Sequence, residues 1–405
     1  MFVMMTLQKK TIDLSPSERR ARVPSREAEL MRAYGSNSLA FFGQALENSH
    51  FLAPHGAGLV HYRLVNKVAV VLGDPVCALE TGEQVTQSFL DVCARHHWRV
   101  AFYQTSPAYL ATYHALRLRA WKMGEEAILY PQTFTLRGSA MANVRISSRR
   151  AERDGVTLHW YQGVPPREVM RQLEQVSSAW LEHKTGSHAA ETGFSTGRLD
   201  EVIESAERAD AIAHLSVPFH NPPRAVPRLV TGVATTSAGT ACAFVTFTPI
   251  YGGVTPETTT PGNQSSGQGW GWSLDLMRRV PDAPPGVMEL LLVRALERFQ
   301  WCGAHVVSFG LVALADTSQE MTPVERKLVS LATDGLHLME HRETLFNFKQ
   351  KFQPSWQSRY LVTNTTLALP KIALAVLRLR NYSGGGVARL LRGSDKPRGM
   401  TRCAT

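Results

Sequence analysis

Long apolar runs are missing from this 405-residue chain, and no segment reaches the ~20 consecutive apolar residues a helix needs to cross a bilayer. The opening stretch, MFVMMTLQKK, has too short an apolar run for a secretory signal, and its lysines follow the apolar residues instead of preceding them. Cysteine is scarce. Cys77, Cys93, Cys242, Cys302 and Cys403 form no C-x-x-C pair and no zinc spacing, so they read as incidental thiols of a reducing cytosol, and no metal is expected. The sequence also lacks G-x-x-x-x-G-K-[ST], G-x-G-x-x-G and H-E-x-x-H, which excludes a P-loop nucleotide hydrolase, a Rossmann dinucleotide site and a zincin. Carboxylates are outnumbered: 34 Asp and Glu face 44 Lys and Arg, a formal net charge of +10 that favours polyanionic partners such as nucleic acid or anionic lipid. With 44% hydrophobic and 19% charged residues the chain is globular, and its length calls for two lobes instead of one core.

Patterning divides the chain into two α/β blocks. Residues 1–25 read as a flexible leader. The first block, 26–165, alternates strands at 59–62, 68–72, 99–103 and 127–130 with helices at 83–96 and 107–118, and ends on a basic helix, 139–153. Residues 166–227 read as connecting helices and a proline-rich loop. The second block, 228–381, carries strands at 228–235, 241–250, 269–277 and 305–311, helices at 286–301, 323–339 and 341–351, a strand near 360–362 and a final helix at 369–381. The Thr-, Gly- and Ser-rich insertion 254–268 has no core-forming pattern, and residues 382–405 read as a disordered basic tail.

Three clusters could carry chemistry. Asp275, Arg278 and Arg279 stand near the end of a strand. Asp282 and the Pro284-Pro285 pair follow, opening a helix whose free N–H groups could hold an anion. Arginine there suits a phosphate or a developing oxyanion, and an aspartate could orient a hydroxyl or amine. An Asp–Arg ion pair stitching strand to helix has the same pattern. Around Lys349 and Lys351, aromatics interleave with cations up to Trp356 and Arg359, as in surfaces that bind phosphates beside a stacked ring, and as in an ordinary basic helix end. Arg145, Arg149 and Arg153 recur at one-turn spacing with Arg150 beside them, a pitch that can track a phosphate backbone and is also that of a solvated face. The final helix is apolar around most of its circumference and basic at its ends. That suits either a headgroup layer or the protein core.

Taken in order, these stretches resemble a known family. Tyr34–Phe42, Val71–Pro75, Phe102–Gln104, Lys122–Ala127, Arg149–Gly155, Trp180-Leu181, Gly193–Ser195, Tyr251–Gly253, Asp275–Arg278 and Phe348–Phe352 with Trp356 and Arg359-Tyr360 are similar to the C-terminal domain of phosphatidylglycerol lysyl- and alanyltransferases, the multiple peptide resistance factor family. The resemblance implies two tandem lobes of the GCN5-related N-acetyltransferase type joined by a basic helix. It implies transfer of an amino acid from aminoacyl-tRNA, as co-substrate and without other cofactor, to a lipid hydroxyl. Asp275, Arg278, Lys349 and Lys351 are then catalytic. Arg279, Asp282, Tyr251, Trp356 and Arg359 bind substrate, and Arg145, Arg149, Arg150 and Arg153 bind tRNA. Full-length members carry membrane helices ahead of this domain. The expectation here is a cytoplasmic protein that can sit on the inner membrane face without exporting lipid. The alternatives are a tRNA-dependent transferase acting on a peptide or cell-wall precursor, a coenzyme A-dependent acetyltransferase, and a non-catalytic tRNA- or membrane-binding module. For the acetyltransferase, Gln264–Gly269 has the letters of the pyrophosphate loop but precedes a strand.

Overall fold

The structure, a computed structural model, describes residues 25–185, 194–215, 226–252, 270–313 and 342–381. The leader, the insertion 254–268, the helix expected at 323–339 and the tail 382–405 lie outside the described residues, as does most of the loop expected at 215–227.

One twelve-stranded sheet runs through the molecule in the order β1-β2-β3-β5-β12-β6-β11-β10-β9-β8-β7, with β4 (Val76–Cys77) paired to β2. The first half contributes β1 (Ser49–Leu52), β2 (Gly58–Val65), β3 (Val68–Leu72) and β5 (Arg99–Thr105). The β2–β3 hairpin turns on Asn66 and Lys67, both left-handed (φ 51° and 62°), as a two-residue turn matched to strand twist requires. Helix α2 (Gly82–Arg95) then crosses over to bring β5 parallel to β3. The second half repeats the plan. β8 (Val230–Thr235), β9 (Ala241–Ile250) and β10 (Gly271–Arg279) are antiparallel, and helix α7 (Val287–Cys302) crosses to β11 (Val306–Ala313), parallel to β10. This repeated order is the tandem α/β architecture the patterning implied.

The spatial order parts from the chain order at the centre. β12 (Ser355–Thr363), read in the sequence as part of the second block, lies between β5 and β6 (Arg119–Leu129), antiparallel to both. β6, from the first block, pairs in turn with β11 of the second. Each half therefore receives its next antiparallel strand from the other, and backbone donors and acceptors on both sides of β12 are satisfied. The expected division at 165 and 228 consequently does not divide the sheet. The last helix, α9 (Leu369–Asn381), also returns to the first half: Leu369, Ile372, Val376 and Leu379 pack on Val68, Val70 and Leu361.

Helices cover both faces. Helices α2 and α3 (Leu110–Ala115) bury Phe89, Tyr109 and Tyr113 against the first half. The basic helix α4 (Ala142–Arg153) begins three residues later than expected and lies on α7, burying Val144 and Ala151 in the core of the second half. On the opposite face, α5 (Arg167–Thr185) and α6 (Val202–Ala213) pack on β9 and β10, α1 (Ser25–Tyr34) packs on α6, β2 and β4, and β7 (Thr157–Gln162) closes the outer edge of the sheet. Among the described residues no helix is long and apolar enough to cross a membrane.

Candidate active site

The site is built where the two parallel strands of the second half part. β10 and β11 are paired only from Gly271–Val306 to Ser273–Ser308. Beyond that, Leu274–Arg279 and Phe309–Ala313 diverge, whereas β3 and β5 of the first half stay paired along all five residues of β3. A cavity of about 530 Å³ fills the gap. Its walls include Asp275, Met277 and Arg279 of β10, Phe309–Val312 of β11, Phe348 and Lys349 of α8 (Arg342–Gln350), Gln104 at the end of β5, Ser38, Ser195, Thr196 and Arg380 of α9.

Asp275 sits on a bulge. The β9–β10 register shifts between Leu274 and Met277, and the Thr246 hydroxyl takes over the ladder there, accepting from the Leu276 amide at 3.0 Å. The Asp275 carboxylate accepts the Gly197 amide at 2.6 Å and lies 3.4 Å from the Thr246 hydroxyl. Enclosure by protein pushes its pKa up to about 6, against the pull of the Gly197 N–H and the Arg278 charge. At neutral pH it is an anion facing the cavity, fit to hold an ammonium group.

Lys349 is buried, 5% exposed, and its Nζ donates to the carbonyls of Gly310 at 3.0 Å and Leu311 at 3.3 Å. Burial lowers its pKa to about 7, with Glu126 pulling the other way. In the neutral amine those two bonds use both N–H groups and leave the lone pair for the cavity. In the ammonium form a third N–H is available. Lys349 can therefore accept and return a proton near neutrality.

Beneath it, Glu126 forms a buried ion pair with Arg359 across β6 and β12, with Nε to Oε2 at 2.5 Å, and accepts the Ser308 hydroxyl. Burial alone would raise the Glu126 carboxyl, but Arg359 together with Ser308 and Ser38 holds it below the usual carboxylate range.

Of the residues expected to act together, Asp275, Lys349 and Arg279 line one cavity, and the others lie elsewhere. Arg278 points through the sheet from Asp275. It is 5% exposed, donates to the Ser177 hydroxyl and lies 5.2 Å over the Trp180 ring of α5, because adjacent strand residues face opposite sides. Its influence on the site is the charge it lends Asp275. Lys351 turns to the other side of α8 and pairs with Glu289 of α7 at 2.9 Å. Tyr251 is fully buried in the helix-covered core. Trp356 stacks on Phe346 at 4.8 Å and donates to Gln350, so it braces α8. Arg359 is engaged by Glu126, and Asp282 is exposed on a turn away from the cavity lining. At the start of α7, Gly286, at φ 86°, is pressed on α4, where a Cβ would stand 2.0 Å from the Ser147 carbonyl oxygen, while Met288 of the first turn lines the cavity.

On α4, Arg149, Arg150 and Arg153 are exposed, whereas Arg145 spends its guanidinium on the carbonyls of Leu136 and Gly138.

Glu126, Gln104, Ser38, Ser195, Thr196 and Arg380 do not stand out in the sequence by their chemistry. Residues 193–197 read Gly-Phe-Ser-Thr-Gly, the G-x-S-x-G spacing of a hydrolase elbow; the described part, Phe194 to Thr196, is a bend leading to the short turn at Leu199–Glu201. Apart from Arg380 and Thr196, their only signal is position within the stretches carrying the family resemblance.

A family model described as phosphatidylglycerol lysyltransferase, C-terminal, matches residues 28–213 and 224–363. The phosphatidylglycerol lysyltransferase of Bacillus subtilis (strain 168) is 27% identical over 360 residues, covering 88% of this chain and 37% of that protein. The lysylphosphatidylglycerol biosynthesis bifunctional protein LysX of Mycobacterium sp. (strain JLS) is 26% identical over 393 residues, 93% of this chain and 32% of that one. This chain thus spans about a third of the length of these curated relatives. Among solved structures, L-PGS from Bacillus licheniformis matches with a TM-score of 0.67 at 25% identity, over 88% of this chain and 96% of that chain. The C-terminal domain of a putative lysylphosphatidylglycerol synthetase from Agrobacterium fabrum shares the fold, with a TM-score of 0.64 at 23% identity over 88% and 96% of the two chains. With both blocks matched by one family model, the chain belongs to the phosphatidylglycerol lysyltransferase C-terminal family.

Proposed function

We propose that this chain transfers an amino acid from aminoacyl-tRNA to a hydroxyl of an anionic phospholipid, with phosphatidylglycerol as the acceptor. The carrying observation is the cavity between the splayed strands, where a carboxylate that ionises near pH 6 and an amine that titrates near pH 7 line the same walls. The names of the relatives supply the acceptor.

In this reading Asp275 holds the α-ammonium of the aminoacyl ester. The acceptor oxygen attacks the ester carbonyl, its C–O bond forms and the bond to the terminal ribose oxygen breaks. Lys349 takes the acceptor proton and returns it to that ribose oxygen, so the step needs no redox partner and no external acid. Aminoacyl esters are already activated, and positioning with charge stabilisation is the main work left to the protein. Arg279 and Arg380 provide cations for phosphate groups at the cavity walls. Arg149, Arg150 and Arg153 follow the RNA backbone along α4. The outer stripe of α9, with exposed Lys371, Leu374 and Arg378 and no carboxylate on the helix, meets the anionic bilayer together with exposed Leu367 of the turn before it.

The test incubates purified protein with radiolabelled aminoacyl-tRNAs and phosphatidylglycerol vesicles. Labelled lipid is expected from at least one aminoacyl-tRNA and is lost with Asp275→Asn. Absence of labelled lipid with every aminoacyl-tRNA and several lipid acceptors refutes the proposal. Label moving instead to a peptide acceptor would reassign the substrate.

A further inference from the structure

Gln104 occupies a backbone conformation that glutamine avoids. Its φ is +61°, in the left-handed region that costs an L-residue energy and a glycine none. It stands at the open end of β5 with its residue lining the cavity. Strain of this kind persists only where surrounding structure enforces it, and it clusters at functional positions.

Gln104 is the extra residue of a bulge, where the β5–β12 register shifts between Tyr360 and Leu361, and Asp74 braces the segments beside it. Its carboxylate, 6% exposed, accepts the Ser106 amide at 3.0 and 3.2 Å, the Asn37 side-chain amide at 2.9 Å and the Tyr113 hydroxyl at 3.3 Å. The Asn37 amide also reaches the Gln104 carbonyl at 3.5 Å, and its oxygen accepts the Leu39 amide at 2.9 Å. One buried carboxylate thus ties together two segments, 37–39 and 104–106, that each present a polar residue to the cavity: Ser38 and Gln104.

The cavity consequently mixes charged and neutral walls, with Glu126 of β6 and Arg380 of α9 among the charged. Asp275, Lys349 and Arg279 bring charge from β10 and α8. Gln104, Ser195 and Thr196 bring neutral hydroxyl and amide groups from other segments, and Ser38, whose hydroxyl donates to Glu126, adds an acceptor oxygen. A neutral group that both donates and accepts is matched by an uncharged polyol, whose hydroxyls do the same. A phosphate or an ammonium finds its partners among the charged residues.

We propose that Ser38, Gln104, Ser195 and Thr196 form a polyol subsite that seats the acceptor's glycerol headgroup, with Gln104 as its main contact and Asp74 as the positioning residue behind it. The assignment rests on the transfer reading above for its acceptor, and it goes beyond that reading in naming the residues that select it.

Two variants separate binding from folding. Gln104→Ala removes the amide, and Gln104→Gly removes it while relieving the backbone. Steady-state assays should show KM for phosphatidylglycerol raised about five- to tenfold in both, the scale of one missing hydrogen bond, with KM for aminoacyl-tRNA unchanged. The Tm of Gln104→Gly should equal or exceed that of the parent protein, a combination a purely structural role does not produce. An unchanged lipid KM in both variants overturns the subsite. Should the parent protein transfer nothing to lipid, binding of water-soluble glycerophosphoglycerol, read by saturation-transfer NMR, decides alone. A signal abolished by Gln104→Ala keeps the subsite while the transfer reading fails, and no signal with the parent protein overturns the subsite.

Discussion

Replacing Glu126 by glutamine tests whether the exchanged strand is held by the ion pair at its centre. Glu126 is 2% exposed and Arg359 5%, and they face each other diagonally across the β6–β12 pairing that joins the two halves. Removing the carboxylate leaves the guanidinium buried without its counter-charge, and such a change costs roughly 3–5 kcal/mol. For a chain of this length, with an unfolding entropy near 2.1 cal/mol/K per residue, that corresponds to a Tm lowered by about 4–6 °C. Urea unfolding followed by tryptophan fluorescence should show the midpoint fall with an unchanged slope. Replacing both partners by methionine removes both charges, and should recover all but about 1–2 kcal/mol of the destabilisation, the remainder reflecting the Ser308 and Ser38 hydroxyls deprived of their acceptor. Because the folded protein holds the Glu126 carboxyl below its usual range, its contribution is present at neutral pH. It disappears as pH falls through that lowered value, so parent and variant should converge in acid. A Glu126→Gln shift below about 1 kcal/mol, or a double variant no more stable than the single one, would refute the reasoning.

Further outcomes follow from the site and its surroundings. Transfer should decline as pH drops through about 7, where Lys349 becomes protonated and can no longer take the acceptor proton, and further through about 6, where protonated Asp275 cannot hold an ammonium group; Asp275→Asn should lower kcat/KM by roughly 100-fold. Folding raises the Asp275 pKa, so its ionised form costs stability above pH 6, and the same variant should be no less stable than the parent at pH 7 by thermal melting. Converting Arg149 and Arg153, both exposed on α4, to alanine should weaken tRNA binding and flatten the slope of log K against log salt by about 0.7–0.9 for each phosphate no longer neutralised, measured by filter binding across a salt series. Leu374→Glu, on the exposed stripe of α9, should leave Tm nearly unchanged and reduce co-flotation with phosphatidylglycerol vesicles about tenfold; equal flotation would remove α9 from the membrane surface.

Much of this molecule is written in local pattern. The valine-rich β3, the amphipathic α5 and the hairpin turn at Asn66 follow from side-chain periodicity and turn chemistry, which act over a few residues. The basic stripe on α4 is likewise legible, whereas Asp275, Arg278, Lys349 and Lys351 enter as what the family resemblance implies, and the fold places Asp275 and Lys349 of these on the cavity wall. Tertiary structure alone decided where β12 goes, because insertion between β5 and β6 depends on hydrogen-bonding edges brought together from residues more than two hundred positions apart. Strand alternation already sets Arg279 on the face of Asp275 and Arg278 on the other in the sequence itself. Only the folded chain shows that the turn closing α8 carries Lys351 round to Glu289 while Lys349 stays at the cavity. Glu126 and Gln104 look ordinary in the chain. One becomes a buried counter-ion and the other a strained cavity residue only when distant strands and loops close around them.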